Sequence, residues 1–350
     1  MDMETLWQDW DGEEVIIRFD RITGAWIIIA IHSTRLGSAA GGTRMKPYTD
    51  LQAAVRDALN LARGMTYKFA MAEHPLGGGK AVIAISPDFE PRHRRDLLLR
   101  YGALVHQLGG LYLVGPDVGT TPKDMDIIHE TGAPYVFART EQAGGAGGSG
   151  PATALGVFCG IEASWAEVAG TESLHGVRVL VQGTGSVGGP LIHMLREAGA
   201  EVAFSEVQAD AIRHYRDELG LPLVPEDKVY DTACEIFTPC ALGGILNEAT
   251  IPRLRCRVVA GAANNQLASL DDAERLRSRG ILYAPDFAIN SGGALAIHGM
   301  EALGWSRTFA YTRVKSVKQT LRMIFQIAKA EGITTETAAV RIAEERLAAA

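Results

Sequence analysis

The chain has 350 residues, 47% of them hydrophobic and 21% charged, which suffices for two domains with separate cores and excludes extended disorder. A net charge of −7 leaves nucleic acids and anionic membranes without an electrostatic attractor, and the short basic run Arg92–Arg95 reads as a solvated helix start. The four cysteines (Cys159, Cys234, Cys240, Cys256) lack Cys-x2-Cys spacing, no His-Glu-x-x-His occurs, no apolar run approaches the roughly 18 residues of a membrane span, and the acidic N-terminus carries no signal-peptide pattern, so no metal and no disulfide is expected, the thiols are read as free, and the protein is read as cytoplasmic.

Residues 14–32 read as two strands joined in a hairpin by Asp20–Gly24. Leu36-Gly-Ser-Ala-Ala-Gly-Gly-Thr-Arg44 follows, a stretch small enough for a ligand to approach the backbone and equally readable as a flexible loop. From Asp50, a plausible N-cap, the apolar spacing of Leu51, Ala54, Val55, Ala58, Leu61, Ala62 and Met65 predicts a helix that delivers Lys68 at its far end. A Pro75-Leu-Gly-Gly-Gly79 turn then feeds Lys80 into Ala81–Ile85, a continuous apolar run typical of a buried strand. Burial there, with a second cation nearby, disfavours the charged form of Lys80; a fall of roughly two to three units from about 10.4 would make neutral amine available near neutral pH. A phosphate-binding P-loop is rejected, because His74 stands where its first glycine belongs and Ala81 where its hydroxyl residue belongs.

An amphipathic helix is predicted over 94–108 and a short strand over 111–115, ending in Gly115-Pro-Asp117. Thr121-Pro-Lys-Asp supplies its own helix cap, which leaves Asp117 for another role. Gly144–Pro151 is the clearest linker and a hinge candidate. A helix over 153–168 leads to a strand over 176–182 that runs into Gly183-Thr-Gly185-Ser186-Val187-Gly188, then a helix, then a strand ending in Glu206, 23 positions after Gly183. That is the spacing of a Rossmann βαβ unit, in which the pyrophosphate rests on the helix N-terminus and Glu206 accepts hydrogen bonds from the adenosine ribose. A carboxylate there repels a 2′-phosphate, and with no Arg or Lys before Arg213 the cofactor is read as NAD rather than NADP. Later strands are expected near 235–239, 258–260 and 281–284, followed by helices near 310–330 and, behind a Thr334 cap, 335–347.

With these features in place the chain strongly resembles, nearly end to end, the leucine, valine and phenylalanine dehydrogenases of the amino-acid dehydrogenase superfamily. The resemblance rests on Gly41-Gly-Thr-Arg44, Gly64-Met-Thr-Tyr-Lys68, Gly77-Gly-Gly-Lys80, Asp117-Val-Gly-Thr, Pro239-Cys240-Ala241-Leu-Gly-Gly, Gly261-Ala-Ala-Asn264-Asn-Gln, and Tyr283-Ala-Pro-Asp-Phe with Asn290-Ser-Gly-Gly. It implies an α/β chain of two domains with a cleft between them: a substrate-binding and oligomerisation domain over 1–143, on which a C-terminal helix over 334–350 packs back, and a doubly wound Rossmann domain for NAD over 144–333. Lys68 would hold the substrate carboxylate with Asn264 and the Gly41/Gly42 backbone. Lys80 would be general base on the water that forms the carbinolamine, and Asp117 would shuttle a proton to and from the amino nitrogen. Thr153 and Asn290 would sit near the nicotinamide, with Cys240 and Ala241 also on the cofactor.

The implied reaction is oxidative deamination of an L-amino acid to a 2-oxo acid and ammonium, by a homo-oligomer acting on small molecules. Ala40, Gly115 and Ala294 stand where the leucine enzymes usually carry bulkier Leu, Ala and Val. Gly115-Pro116-Asp117 and Leu303-Gly-Trp305-Ser look like phenylalanine dehydrogenases, so an aromatic substrate is expected first and a branched-chain one as the alternative. A silent NAD-binding regulator would have no need of Lys68, Lys80 and Asp117 together. Ser291, where the family usually has Ala, is a departure without an assigned effect.

Overall fold

A computed structural model describes residues 10–350. The chain forms two compact units. One holds the residues up to Gly148 together with Ile297–Trp305 and Ala343–Ala350; the other holds Ser149–Ala296 and Ser306–Ile342. The division thus falls after Gly148, where the sequence suggested the start of Gly144, and the last helix is shared: residues up to Ile342 group with the second unit and only its final turns with the first.

The first unit is built on a five-stranded sheet of β1 (Glu14–Asp20), β2 (Ala25–Ser33), β3 (Ala39–Pro47), β4 (Gly77–Ile85) and β5 (Tyr112–Pro116), in the order β1-β2-β4-β3-β5. β1, β2 and β4 pair antiparallel, while β3 runs parallel to both β4 and β5. The isoleucine run of β2 is buried on both faces. Ile28 and Ala30 meet Ala54, Val55, Ala58 and Leu59 of helix α1 (Leu51–Met71), whereas Ile27, Ile29 and Ile31 share a core with Leu97, Leu98, Tyr101, Met125 and Ile128 of α2 (Arg94–Gln107) and α3 (Pro122–Gly132). Asp50 caps α1 by accepting from Ala53 N at 2.7 Å, and Thr121 and Asp124 form a reciprocal capping box on α3.

Two sequence expectations are corrected here. The stretch before Arg44, for which a flexible loop was one of two open readings, is strand β3 from Ala39 onward, and the glycines read as a turn before Lys80 are the first three residues of β4, so Lys80 lies within a strand, opposite Ala30. Tertiary packing explains both. A Cβ on Gly41 would lie 1.8 Å from the Gly79 carbonyl oxygen, and one on Gly78 would lie 2.1 Å from Thr66 N of α1, so these glycines permit close approach of backbones rather than a change of direction. Gly78→Ala is therefore expected to destabilise the protein by about 1–3 kcal/mol. An unchanged urea midpoint in that variant would contradict the packing account.

The glycine-rich segment after Arg139 is also less loose than its composition suggests. Gly145 N donates to Thr140 O at 2.9 Å, Gly147 N to Arg139 O at 2.9 Å, and Ala146 N to Glu301 Oε1 at 2.7 Å.

In the second unit, α4 (Gly150–Ala169) precedes β6 (Arg178–Gln182), α5 (Gly188–Glu197), β7 (Glu201–Ser205), β8 (Ile236–Pro239), β9 (Val258–Val259), α6 (Asp271–Ser278) and β10 (Leu282–Tyr283). The five strands are all parallel, in the order β10-β9-β8-β6-β7, around a core that includes Leu180, Phe237, Val259, Leu276 and Tyr283. α7 (Gly292–Glu301), α8 (Arg307–Val314), α9 (Val317–Glu331) and α10 (Thr335–Ala348) follow. All four cysteines are free thiols. Among the described residues no helix is long and apolar enough to cross a membrane.

Candidate active site

β3, β4 and β5 lie side by side, and their register brings Arg44, Lys80 and Asp117 to one end of the first sheet: Thr43 pairs with both Ala81 and Pro116. Lys80 Nζ is 3.1 Å from Asp117 Oδ2, and the same oxygen accepts from Arg44 Nε at 2.8 Å. Arg44 Nη1 reaches on to both oxygens of Asp57 on α1, at 3.2 and 3.0 Å, and Asp57 Oδ2 accepts from the Tyr48 hydroxyl at 2.6 Å. Lys80 is only 4% exposed, and Asp117 and Arg44 are 15% exposed at their side chains.

The Asp117 turn is fastened in place. Asp117 N donates to the Thr120 hydroxyl at 3.0 Å, that hydroxyl donates to Thr43 O at 2.7 Å, and Met45 N donates to Val118 O at 2.9 Å. Gly41 and Gly42 sit against the same groups. A Cβ on Gly41 would lie 3.4 Å from Lys80 Cα, and one on Gly42 would lie 2.8 Å from Asp117 Cβ. Lys68 is buried on the last turn of α1.

Burial is the main influence that lowers the Lys80 pKa; Asp117 opposes it and Arg44 reinforces it. For Asp117 burial acts to raise the pKa, but the positive charges of Lys80 and Arg44 outweigh it and hold the carboxyl well below the usual carboxylate range. Arg44 stays charged, because Asp117 and Asp57 more than offset its desolvation. The arrangement is a fixed anion between a permanent cation and a lysine made more acidic by burial, which is chemistry suited to moving protons. The cation beside Lys80 is Arg44, to which the sequence reading gave no role, nor did it give one to Asp57. Their signal was an arginine in a run of small and apolar residues and a carboxylate among the apolar positions of α1, each demanding a buried partner.

In the second unit the glycine fingerprint closes between β6 and α5. Gly183 has φ +91, and a Cβ on Gly188 would lie 2.0 Å from Gly183 O and 3.3 Å from Cys240 Cβ, so the fingerprint, Cys240 and Ala241 pack as one. Cys240 N donates to Gln182 O at 2.7 Å. Ser186 O lies 2.2 Å from where a Gly150 Cβ would be, so Ser186 and Val187 form the turn against which α4 begins. Among the described residues a Cβ on Gly185 would meet nothing within 4 Å, leaving an open cradle at the N-terminus of α5.

Asn290 Nδ2 donates to Asn264 Oδ1 at 2.8 Å and to Ala262 O at 3.0 Å, while Asn290 Oδ1 is buried with no partner among the described residues. Thr153 lies beside this turn, its hydroxyl donating to Ser149 O at 3.0 Å and lying 2.2 Å from where a Gly293 Cβ would be. An open phosphate cradle and an acceptor without a partner among the described residues, both in the second unit, fit a dinucleotide with a donor group at one end.

Gln266 and Asp286, which lie in motifs the sequence offered but were given no role, hold the Asn264 loop. Gln266 is fully buried, with Nε2 donating to Gly261 O and Ala263 O at 2.9 Å each and its backbone N donating to Asp286 Oδ2 at 2.8 Å. Ser291 needs no cofactor to explain it, since its hydroxyl is buried and donates to Ala288 O at 2.8 Å.

Glu206 is more occupied than expected. Oε2 accepts from Thr184 N and Oγ1 at 2.8 Å each, and Oε1 accepts from Val207 N at 2.7 Å and Gln208 N at 3.0 Å. A carboxylate offers about four lone-pair positions, so any further donor must share one. Burial acts to raise the Glu206 pKa, but these hydrogen bonds more than offset it and keep the group ionised. Of the three small residues expected at the substrate side chain, Ala40 is buried on β3 and Gly115 lies on β5, both in the first unit, whereas Ala294 belongs to the second.

Residues 18–133 match the family described as Glu/Leu/Phe/Val dehydrogenase, dimerisation domain, and residues 203–350 match Glutamate/Leucine/Phenylalanine/Valine dehydrogenase. The chain is 42% identical to the leucine dehydrogenase of Thermoactinomyces intermedius, over 97% of this chain and 92% of that one. It is 41% identical to the valine dehydrogenase of Streptomyces virginiae, over 99% and 97%. The crystal structure of L-tryptophan dehydrogenase from Nostoc punctiforme matches with a TM-score of 0.80 at 39% identity, covering 99% of this chain and 98% of that one.

Proposed function

This chain belongs to the Glu/Leu/Phe/Val dehydrogenase family and is an NAD-dependent amino-acid dehydrogenase; we propose that its substrate is a branched-chain L-amino acid, deaminated reversibly to the 2-oxo acid with release of ammonium. The buried Lys80–Asp117 pair supports the chemistry best. NAD supplies the hydride acceptor when bound, and the fingerprint glycines from Gly183 to Gly188 would hold its pyrophosphate.

The remaining work belongs to side chains of this protein. Lys68 and the Gly41/Gly42 backbone bind the substrate carboxylate. Neutral Lys80 takes a proton from the water that adds to the imino acid, and Asp117 carries a proton to the departing nitrogen. The match of residues 18–133 to a dimerisation domain, with Ile17, Phe19 and Ile22 exposed on edge strand β1 and its turn, favours a homo-oligomer. Light scattering at the mass of one chain would contradict that.

The leucine and valine dehydrogenases among the relatives support a branched-chain substrate over phenylalanine. An aromatic substrate is the second reading, favoured by the open space at Gly115, where a Cβ would meet none of the described residues within 4 Å, and by the likeness to a tryptophan dehydrogenase. NADH formation with L-leucine, L-valine, L-phenylalanine and L-tryptophan separates the two. Branched-chain substrates are expected to lead in kcat/KM; a tenfold lead for either aromatic would install the second reading, and no turnover with any would sink both. Under the second reading Gly115→Ala, which fits without a clash, is expected to cut kcat/KM for the aromatic by about 10-fold or more and to spare valine.

A further inference from the structure

The two residues that join Lys80 and Asp117 in one buried network, Arg44 and Asp57, have no part in the roles given so far. Arg44 is held from both ends. Its Nε is committed to Asp117 Oδ2 at 2.8 Å and its Nη1 to Asp57, which is itself fixed by the Tyr48 hydroxyl at 2.6 Å. The guanidinium plane lets one arginine serve two carboxylates at once, which the point charge of a lysine cannot do. We infer that Arg44, anchored by Asp57 and Tyr48, is a positioning residue that holds the Asp117 carboxylate against the Lys80 amine and sets a permanent positive charge beside it. The inference rests on the reading of Lys80 as general base.

The charged groups acting on Lys80 come from three elements: Asp117 after β5, Arg44 on β3 and Asp57 on α1, with Tyr48 reaching Asp57. Lys68, on the last turn of α1, is left unchanged in every variant below. Burial lowers the Lys80 pKa first, and Arg44 pushes in the same direction, whereas Asp117 and Asp57 push against it. Removing the arginine charge must therefore favour the protonated lysine, and removing the Asp57 charge must disfavour it. The opposite signs separate this role from a structural one, because damage to the fold would lower the rate at every pH without moving the limb.

The test is the pH dependence of kcat/KM for the full-length enzyme with its best substrate and saturating NAD, between pH 6 and 11, in wild type, Arg44→Gln, Arg44→Lys, Asp57→Asn and Lys80→Ala. The substrate amino group titrates alike in all of them, so differences belong to the protein. Arg44→Gln is expected to move the acid limb to higher pH by about one unit or more, a roughly tenfold lower rate on that limb. Asp57→Asn is expected to move it to lower pH. Arg44→Lys is expected to restore the limb while leaving kcat below wild type.

A limb at the wild-type position in Arg44→Gln overturns the inference, as does an alkaline shift in Asp57→Asn, which decides the matter if Arg44→Gln fails to fold. Near-wild-type kcat in Lys80→Ala instead overturns the base assignment, whatever the other variants do.

Discussion

Lys80→Ala is expected to lower kcat by about 10²–10⁴-fold, the usual contribution of a positioned general base, while leaving NADH affinity unchanged in a fluorescence titration. The separation follows from the architecture. Lys80 belongs to the sheet of the first unit, whereas the fingerprint from Gly183 to Gly188 and the Asn264–Asn290 contact lie in the second, with its own core. Removal of the amine also leaves Asp117 paired with Arg44, so no orphaned charge remains to disturb the fold. A kcat within tenfold of wild type would reject the base assignment, and loss of NADH binding would show that the substitution had done more than remove a base. The pH profile of the wild type carries the same argument. The amine accepts a proton only when neutral, so the rate rises as pH passes upward through the lowered pKa of Lys80 and falls as pH drops below it. A rate that does not fall with decreasing pH anywhere below the ordinary lysine range would contradict it.

Local signals were legible wherever local physics decides the structure. The Asp50 and Thr121 caps, the apolar spacing of α1 and the isoleucine run of β2 are short-range patterns, and each appears where the sequence places it. The βαβ unit from β6 through α5 to β7 was readable because its glycines, helix and acidic strand end occur at a fixed spacing. The glycines of β3 and β4 misled for the opposite reason. Glycine signals a turn when nothing else is known, yet Gly41 and Gly78 exist to admit the backbones of Gly79 and Thr66, which are distant in sequence. Arg44 escaped in the same way: without strand β3 in view, nothing aligned it with Lys80 or brought it to Asp57. The saturation of Glu206 by Thr184, Val207 and Gln208 is a property of how two loops meet, which composition and spacing do not encode. The choice between aromatic and branched-chain substrates turns on the space around a few side chains, such as the room at Gly115; the motifs put an aromatic substrate first, whereas the relatives support the branched-chain alternative better.

Asp117→Asn is expected to cost more than Lys80→Ala in stability and a comparable amount in rate. Its carboxylate takes both the Arg44 guanidinium and the Lys80 ammonium on one oxygen, so the variant leaves two buried cations facing a neutral amide. Breaking a buried pair from one side costs about 3–5 kcal/mol, and the urea midpoint at pH 7 is expected to fall accordingly.

The loss has a predictable pH dependence. In the wild type the folded-state pKa of Asp117 is depressed, so its stabilisation is complete above the unfolded value of about 3.8 and is lost as pH falls through the folded one. In the variant the strain falls on Lys80, which can relieve it only by releasing its proton. Without Asp117 the folded-state pKa of Lys80 falls further than in the wild type, so between the two folded values the variant has released a proton that the wild type still holds, and it gains stability with pH that the wild type does not. Asp117→Asn is therefore expected to lose less stability at pH 10 than at pH 7, while kcat stays about 10²-fold or more below wild type at both, because the proton carrier itself is gone. A loss below about 1 kcal/mol that is the same at both pH values would mean that Asp117 and Lys80 are neighbours without being electrostatically coupled, and the proton-transfer role proposed for the pair would fall with that coupling.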